Sequence, residues 1–101
     1  MIKGDEEALQ RLIDALESGE WHVRYAAAKA LGRADGSAKG VVTGLVKALD
    51  DKAFSVRAIA ISSLGKIGPS AKMAVSAIKN CLKDNRLRDK AISALLRIQE
   101  Q

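Results

Sequence analysis

The chain repeats itself at a step of 33 residues, and this limits the possible folds more than any other feature. Val23-Arg24 recurs as Val56-Arg57, and Leu31-Gly32 recurs as Leu64-Gly65. Leu12 and Leu16 become Leu45 and Leu49, and these become Ile78 and Leu82; Ala15, Ala48 and Cys81 take the same step. The third copy loses two residues from its internal turn, so Leu87-Arg88 and Leu95 fall 31 after Val56-Arg57 and Leu64. A repeat of this size marks a unit that cannot bury its apolar face alone and does so by stacking on its neighbours. The copies occupy about 5–35, 36–68 and 69–99, and the 101 residues are expected to form one domain.

Each copy reads as two helices. Leu9, Leu12, Ile13 and Leu16 share a face at spacings of three and four, as do Val42, Leu45, Val46 and Leu49, and then Val75, Ile78 and Leu82. The second stripe of each copy is Val23, Ala27, Ala30 and Leu31, then Val56, Ala60, Ser63 and Leu64, then Leu87, Ala91, Ala94 and Leu95. Breakers separate the segments at Ser18-Gly19, Asp35-Gly36 and Gly68-Pro69-Ser70, with Ser70 placed to cap the helix that follows. Aromatic residues make up 3% of the chain, so the apolar set is small aliphatic side chains that let helices approach closely. The expected fold is all-α, with six helices.

Val-Arg-x-x-Ala-x-x-Ala-Leu-Gly, running from Val23 to Gly32, resembles the HEAT-like repeats of the phycobilisome-lyase type. Leu64-Gly65-Lys66-Ile67-Gly68-Pro69-Ser70-Ala71-Lys72 resembles the junction between two such repeats, and the likeness runs from about Asp5 to Ile98. It implies a right-handed α-α superhelix whose second helices line a concave face that holds a partner. In such families the arginine at the Arg24, Arg57 and Arg88 position pairs with an aspartate in the turn before it, where Asp51 and Asp84 stand. The first copy has Ser18 there, between Glu17 and Glu20. The third copy departs from the pattern, with Leu95-Leu96 in place of Leu-Gly, as a capping repeat would.

The residues give no catalytic or metal-binding constellation, and neither enzyme activity nor a cofactor is expected. His22 and Cys81 are the chain's single histidine and single cysteine, in different copies. His22 precedes Val23 rather than Glu, so the His-Glu pairs of the HEAT-like deoxyhypusine hydroxylases are missing. A bilin-lyase role is not expected of three repeats whose one cysteine sits beside Ile78 and Leu82, as a packed thiol would. Lone Cys81 has no disulfide partner in the chain, and the expected setting is reducing and cytoplasmic. The acidic Asp5-Glu6-Glu7 start does not read as a signal peptide, and no run approaches the ~18 apolar residues of a membrane span.

The expected function is protein binding by a non-catalytic scaffold. On the outward side of the second helices stand Tyr25 and Lys29, then Ser62 and, one turn on, Arg33, Lys66 and Arg97 at one aligned position. Ile61 and Ile92 align at the margin of the core, and half-exposed they would add an apolar strip to the same face; full burial would remove it. Trp21 and Phe54 align, and packing into the turn is expected of both.

The net charge of +5 is uneven. Residues 1–35 carry five basic and seven acidic groups, residues 36–68 five and two, and residues 69–101 seven and three. Two alternatives follow. One is a nucleic-acid binder that uses Arg33, Lys66 and Arg97 with Lys83, Arg86, Arg88 and Lys90. The other is head-to-tail self-association of an acidic end with a basic one, giving anything from a monomer to a weak homo-oligomer. DNA glycosylases with HEAT-like folds are much longer, and no base-reading pocket is arguable here.

Overall fold

A computed structural model describes residues 3–99, with side chains from Glu6 onward. Six α-helices follow in chain order: α1 (Lys3–Ala15), α2 (Trp21–Leu31), α3 (Val41–Ala48), α4 (Phe54–Ile67), α5 (Val75–Asn80) and α6 (Arg88–Gln99). There is no strand among the described residues. The helices pair as the repeat predicts, α1 with α2, α3 with α4 and α5 with α6, in a slab of 39 × 34 × 15 Å. The second helices α2, α4 and α6 pack in that order and form the spine of the stack.

The buried set follows the expected stripes in the second and third repeats more closely than in the first, where Leu9, Leu12, Ile13 and Leu16 are only partly buried and Val23 is exposed. Leu31, Leu45, Leu64, Ile78 and Ile98 are fully covered, and the core runs without a break from Ala28 to Ile98. Neighbouring second helices approach closely because small residues face each other. A Cβ on Gly32 would lie 2.8 Å from Ser63 Oγ, and one on Gly65 would lie 3.1 Å from the backbone of Ala94. Where α2 ends, the Gly32 N–H turns back to the Lys29 carbonyl, and the buried Ser63 hydroxyl donates to the Ala28 carbonyl at 2.6 Å. A helix-end carbonyl is thus satisfied by the next repeat.

Gly68 ends α4 with φ 78°, a left-handed conformation that a side chain would strain, and Pro69 prevents any continuation of the helix. Ser70 does not cap the helix that follows. It lies inside a 3-10 segment, Gly68–Ala74, and α5 starts only at Val75 with Ala74 at its N-cap. The third repeat's first helix is therefore short, six residues against eight in α3, and passes into a second 3-10 turn at Cys81–Lys83.

Arg24, Arg57 and Arg88 each bond to the turn before their helix, but their partners differ from those expected. Arg24 Nε and Nη2 donate to the two carboxylate oxygens of Asp51 at 2.7 and 2.9 Å, and Nη1 donates to the Ser18 carbonyl at 2.8 Å. The ion pair therefore crosses to the following repeat instead of closing the arginine's own turn. Arg57 donates to the Asp51 backbone carbonyl at 2.7 Å, and Arg88 to the Leu82 carbonyl at 3.1 Å. The common bond of all three arginines is to the carbonyl six residues back. The Asp84 carboxylate accepts from Arg86 instead.

Candidate partner-binding groove

The second helices bring several of the predicted residues together. Ser62, Lys66 and Arg97 line an open groove of about 410 Å³ between α4 and α6, with Gly65, Asp89, Lys90, Ser93 and Ala94. Gly65 and Ala94 set its depth, because their contact leaves the longer side chains standing along both edges. Lys66, Lys90 and Arg97 outnumber the single carboxylate of Asp89. None of the three cations enters an ion pair formed among the described residues, so their charge faces solvent and whatever enters the groove.

Ser62 and Lys90 also border a second, smaller hollow of about 220 Å³, lined by Tyr25, Phe54, Ser55, Ala58 and Ile59. The two hollows form one track over the three second helices. Tyr25 is half-buried there, with its ring edge-on to Trp21 at 6.4 Å. Phe54 carries the Arg86 guanidinium 4.3 Å from its ring centre, so the track's wall is held by a cation–π contact. Sequence reasoning named Lys90 only for the nucleic-acid alternative; projection aligns Asp89 with Tyr25 and Ser93 with Lys29 on the outward side, but the groove itself forms only when α4 and α6 are packed. Lys90 sits where the earlier copies have Ala26 and Ile59, so comparison of the copies offered no cation at that position.

Lys29 and Arg33 are exposed one repeat earlier, on α2 and in the turn after it, outside the groove. Ile61 does not belong to any surface. It is fully buried, on a helix that packs against both α2 and α6, and the proposed apolar strip is lost with it. Ile92 at the aligned position is 44% exposed, but it looks outward from the third pair together with Leu96 at 67%. The third repeat therefore does not present the polar outer face of a capping repeat.

Trp21 also departs from expectation: it is 44% exposed, stacked on His22 with ring centres 4.4 Å apart. The aligned Phe54 has Tyr25 on one side and Arg86 on the other, supplied by the repeats before and after it. Among the described residues, Trp21 meets the rings of His22 and Tyr25, both from its own repeat. Val23 is likewise 41% exposed, although its equivalent Val56 is fully buried.

Cys81 is half-buried, and its thiol lies 3.6 Å from the Ala77 carbonyl. Burial, followed by the charge of Asp50, pushes the thiol pKa up, against what a nucleophile needs. No group of three or more His, Cys, Asp or Glu side chains is placed to hold a metal ion among the described residues. No described helix is long and apolar enough to cross a membrane.

Stacked antiparallel helix pairs joined through their second helices define an α-solenoid. The family model for HEAT repeats matches residues 3–52, and that for the PBS lyase HEAT-like repeat matches residues 56–84. The chain belongs to the HEAT-like repeat proteins. No curated protein matches the sequence. HEAT repeats generally mediate protein–protein interaction, and their families are typically non-catalytic scaffolds.

Proposed function

We propose that the three repeats act as one non-catalytic binding unit that cradles an extended, acidic segment of a partner protein along the second-helix face. The observation that carries this reading is the continuous track from Tyr25 through Ser62 and Lys90 to Lys66 and Arg97. Its cations stand at the edges, its floor of Ala58, Ile59 and Ala94 is apolar, and Ser62 and Ser93 offer hydroxyls between them. Edge charges steer an acidic chain and fix its register, while the apolar floor accepts side chains that nucleic acid lacks. The aligned row of Arg33, Lys66 and Arg97 favours nucleic acid as the second reading.

Fluorescence anisotropy distinguishes the two. The probes are a labelled Glu-, Ser- and Leu-containing peptide, its Gln-for-Glu counterpart and an oligothymidylate, each at about 50 and about 200 mM salt. Preferential binding of the acidic peptide, weakened about tenfold or more by Lys66→Glu and Arg97→Glu, is the expected result. Tighter binding of the oligonucleotide, lost in the same variants, would replace the protein-binding reading with the nucleic-acid one.

A further inference from the structure

The contact between neighbouring second helices is made twice within the chain, and its two halves are left open at the outer faces. Inside, Ser63 of α4 receives Gly32 of α2 and bonds the Ala28 carbonyl, and Ala94 of α6 receives Gly65 of α4; Val56, Ala60, Ile61, Leu87 and Ala91 beside them are buried too. On the outer face of the first pair, the receiving half is open in part: Val23 is 41% exposed and Ala30 half-buried, while Ala27, at the Ala60 position, is buried. Leu12, Ala15, Val23, Ala26 and Ala30 border an apolar depression of about 510 Å³. On the outer face of the third pair, the inserting half stands uncovered as Ile92, 44% exposed, and Leu96, 67% exposed. Apolar surface of this kind on both ends of a stack is what its own repeats bury elsewhere.

We propose that these faces bind each other in two copies of this chain, α6 of one copy lying over α1 and α2 of the next. The charges agree with that pairing. Residues 69–101 carry seven basic and three acidic groups, and residues 1–35 carry five and seven. Within the chain, Arg24 reaches the Asp51 carboxylate of the following turn. Arg88, at the aligned position, keeps its own-turn bond to the Leu82 carbonyl, and no described carboxylate pairs with it. The turn it would meet in the next copy offers Glu20, exposed beside Ser18.

The new contact is not a copy of the internal ones. Leu96 stands where the inner helices have Gly32 and Gly65, positions at which even a Cβ would crowd the next helix. It holds the next copy's α2 farther away and fills the added space, over a floor of alanines that leaves room for it. One face joins a different face, so the contact is heterologous and adds copies in file instead of closing a pair.

Sedimentation velocity over roughly 5 to 500 µM tests this, spanning the weak affinities such a contact would have. The wild-type mass should rise with concentration past that of a dimer. Leu96→Glu and Ala26→Glu each change an exposed side chain on opposite faces, and circular dichroism checks that both variants keep their helices. Each alone should stay monomeric, because every contact then lacks one half. An equimolar mixture should recover a heterodimer and nothing larger, since one good face remains on each. A wild type that stays monomeric throughout would overturn the proposal, as would single variants that still associate or a mixture that does not. Lys66→Glu, in the groove, should leave the assembly unchanged, so this result and the fate of the groove reading are read separately.

Discussion

Arg24 and Asp51 meet across a repeat boundary, and Asp51 has further duties there. Its Oδ1 also accepts the Ala53 N–H at 2.8 Å, which holds the start of α4, and its backbone carbonyl accepts from Arg57. The hydrogen bonds from Arg24 are the main cause that holds the Asp51 carboxyl below the usual carboxylate range; its own burial opposes them. A carboxylate with a lowered folded-state pKa contributes stability above its unfolded value, about 3.9, and that contribution fades as pH falls through the lower folded value. Asp51→Asn should therefore lower the melting temperature at pH 7, and the gap from wild type should close as the pH drops below about 4. Thermal melts followed by circular dichroism across that range check it; an unchanged gap at low pH would mean the pair's charge is not what matters. The pair was half legible in the sequence. The aspartate was marked, but its partner was assigned within one turn, because spacing along the chain does not reveal which arginine a stacked neighbour brings close.

At the scale of single helices, the closest fit is α4 against α6. Gly65 lies within α4, where alanine would favour the helix by about 1 kcal/mol. The added Cβ, however, would come within 3.1 Å of the Ala94 backbone and 3.2 Å of its Cβ, and overpacking of that kind costs about 1–3 kcal/mol. The steric term wins because backbone cannot swing aside, so Gly65→Ala should be destabilising by up to about 2 kcal/mol, read from urea unfolding. A gain in stability would show that the two helices can separate freely. The sequence located all six helices through their apolar spacing, and it marked Gly68 as the stop of α4. It misplaced the start of α5, because a 3-10 segment carries no apolar period of its own. The groove was legible in part. Ser62, Lys66, Arg97 and Asp89 follow from projecting each helix, but only the packing of α4 beside α6 joins them with Lys90 in one groove.

At the scale of the whole stack, the buried residues form one continuous core through the described repeats. Ile61 sits at its centre, fully buried between the second and third repeats. Ile61→Ala should cost about 2–5 kcal/mol, and the loss should be felt throughout the chain. Trp21 in the first repeat is the chain's single tryptophan, and it reports locally on the far end of the stack. Its fluorescence and the helical circular dichroism should therefore unfold at one midpoint, lowered together in the variant. Two separated midpoints would mean that the repeats melt singly.

By itself, the sequence determined the repeat, the helix pairs, the stripe that each helix buries and the positions that stand outward, because all of these are properties of one copy and its period. Only the tertiary structure decided which equivalent positions are covered. Ile61 and Ile92 share an aligned position, as do Val56 and Val23, yet one of each pair is fully buried and the other more than 40% exposed. Burial in a stacked protein depends on whether a neighbour is present, and aligned residues carry the same local pattern whether or not one is there.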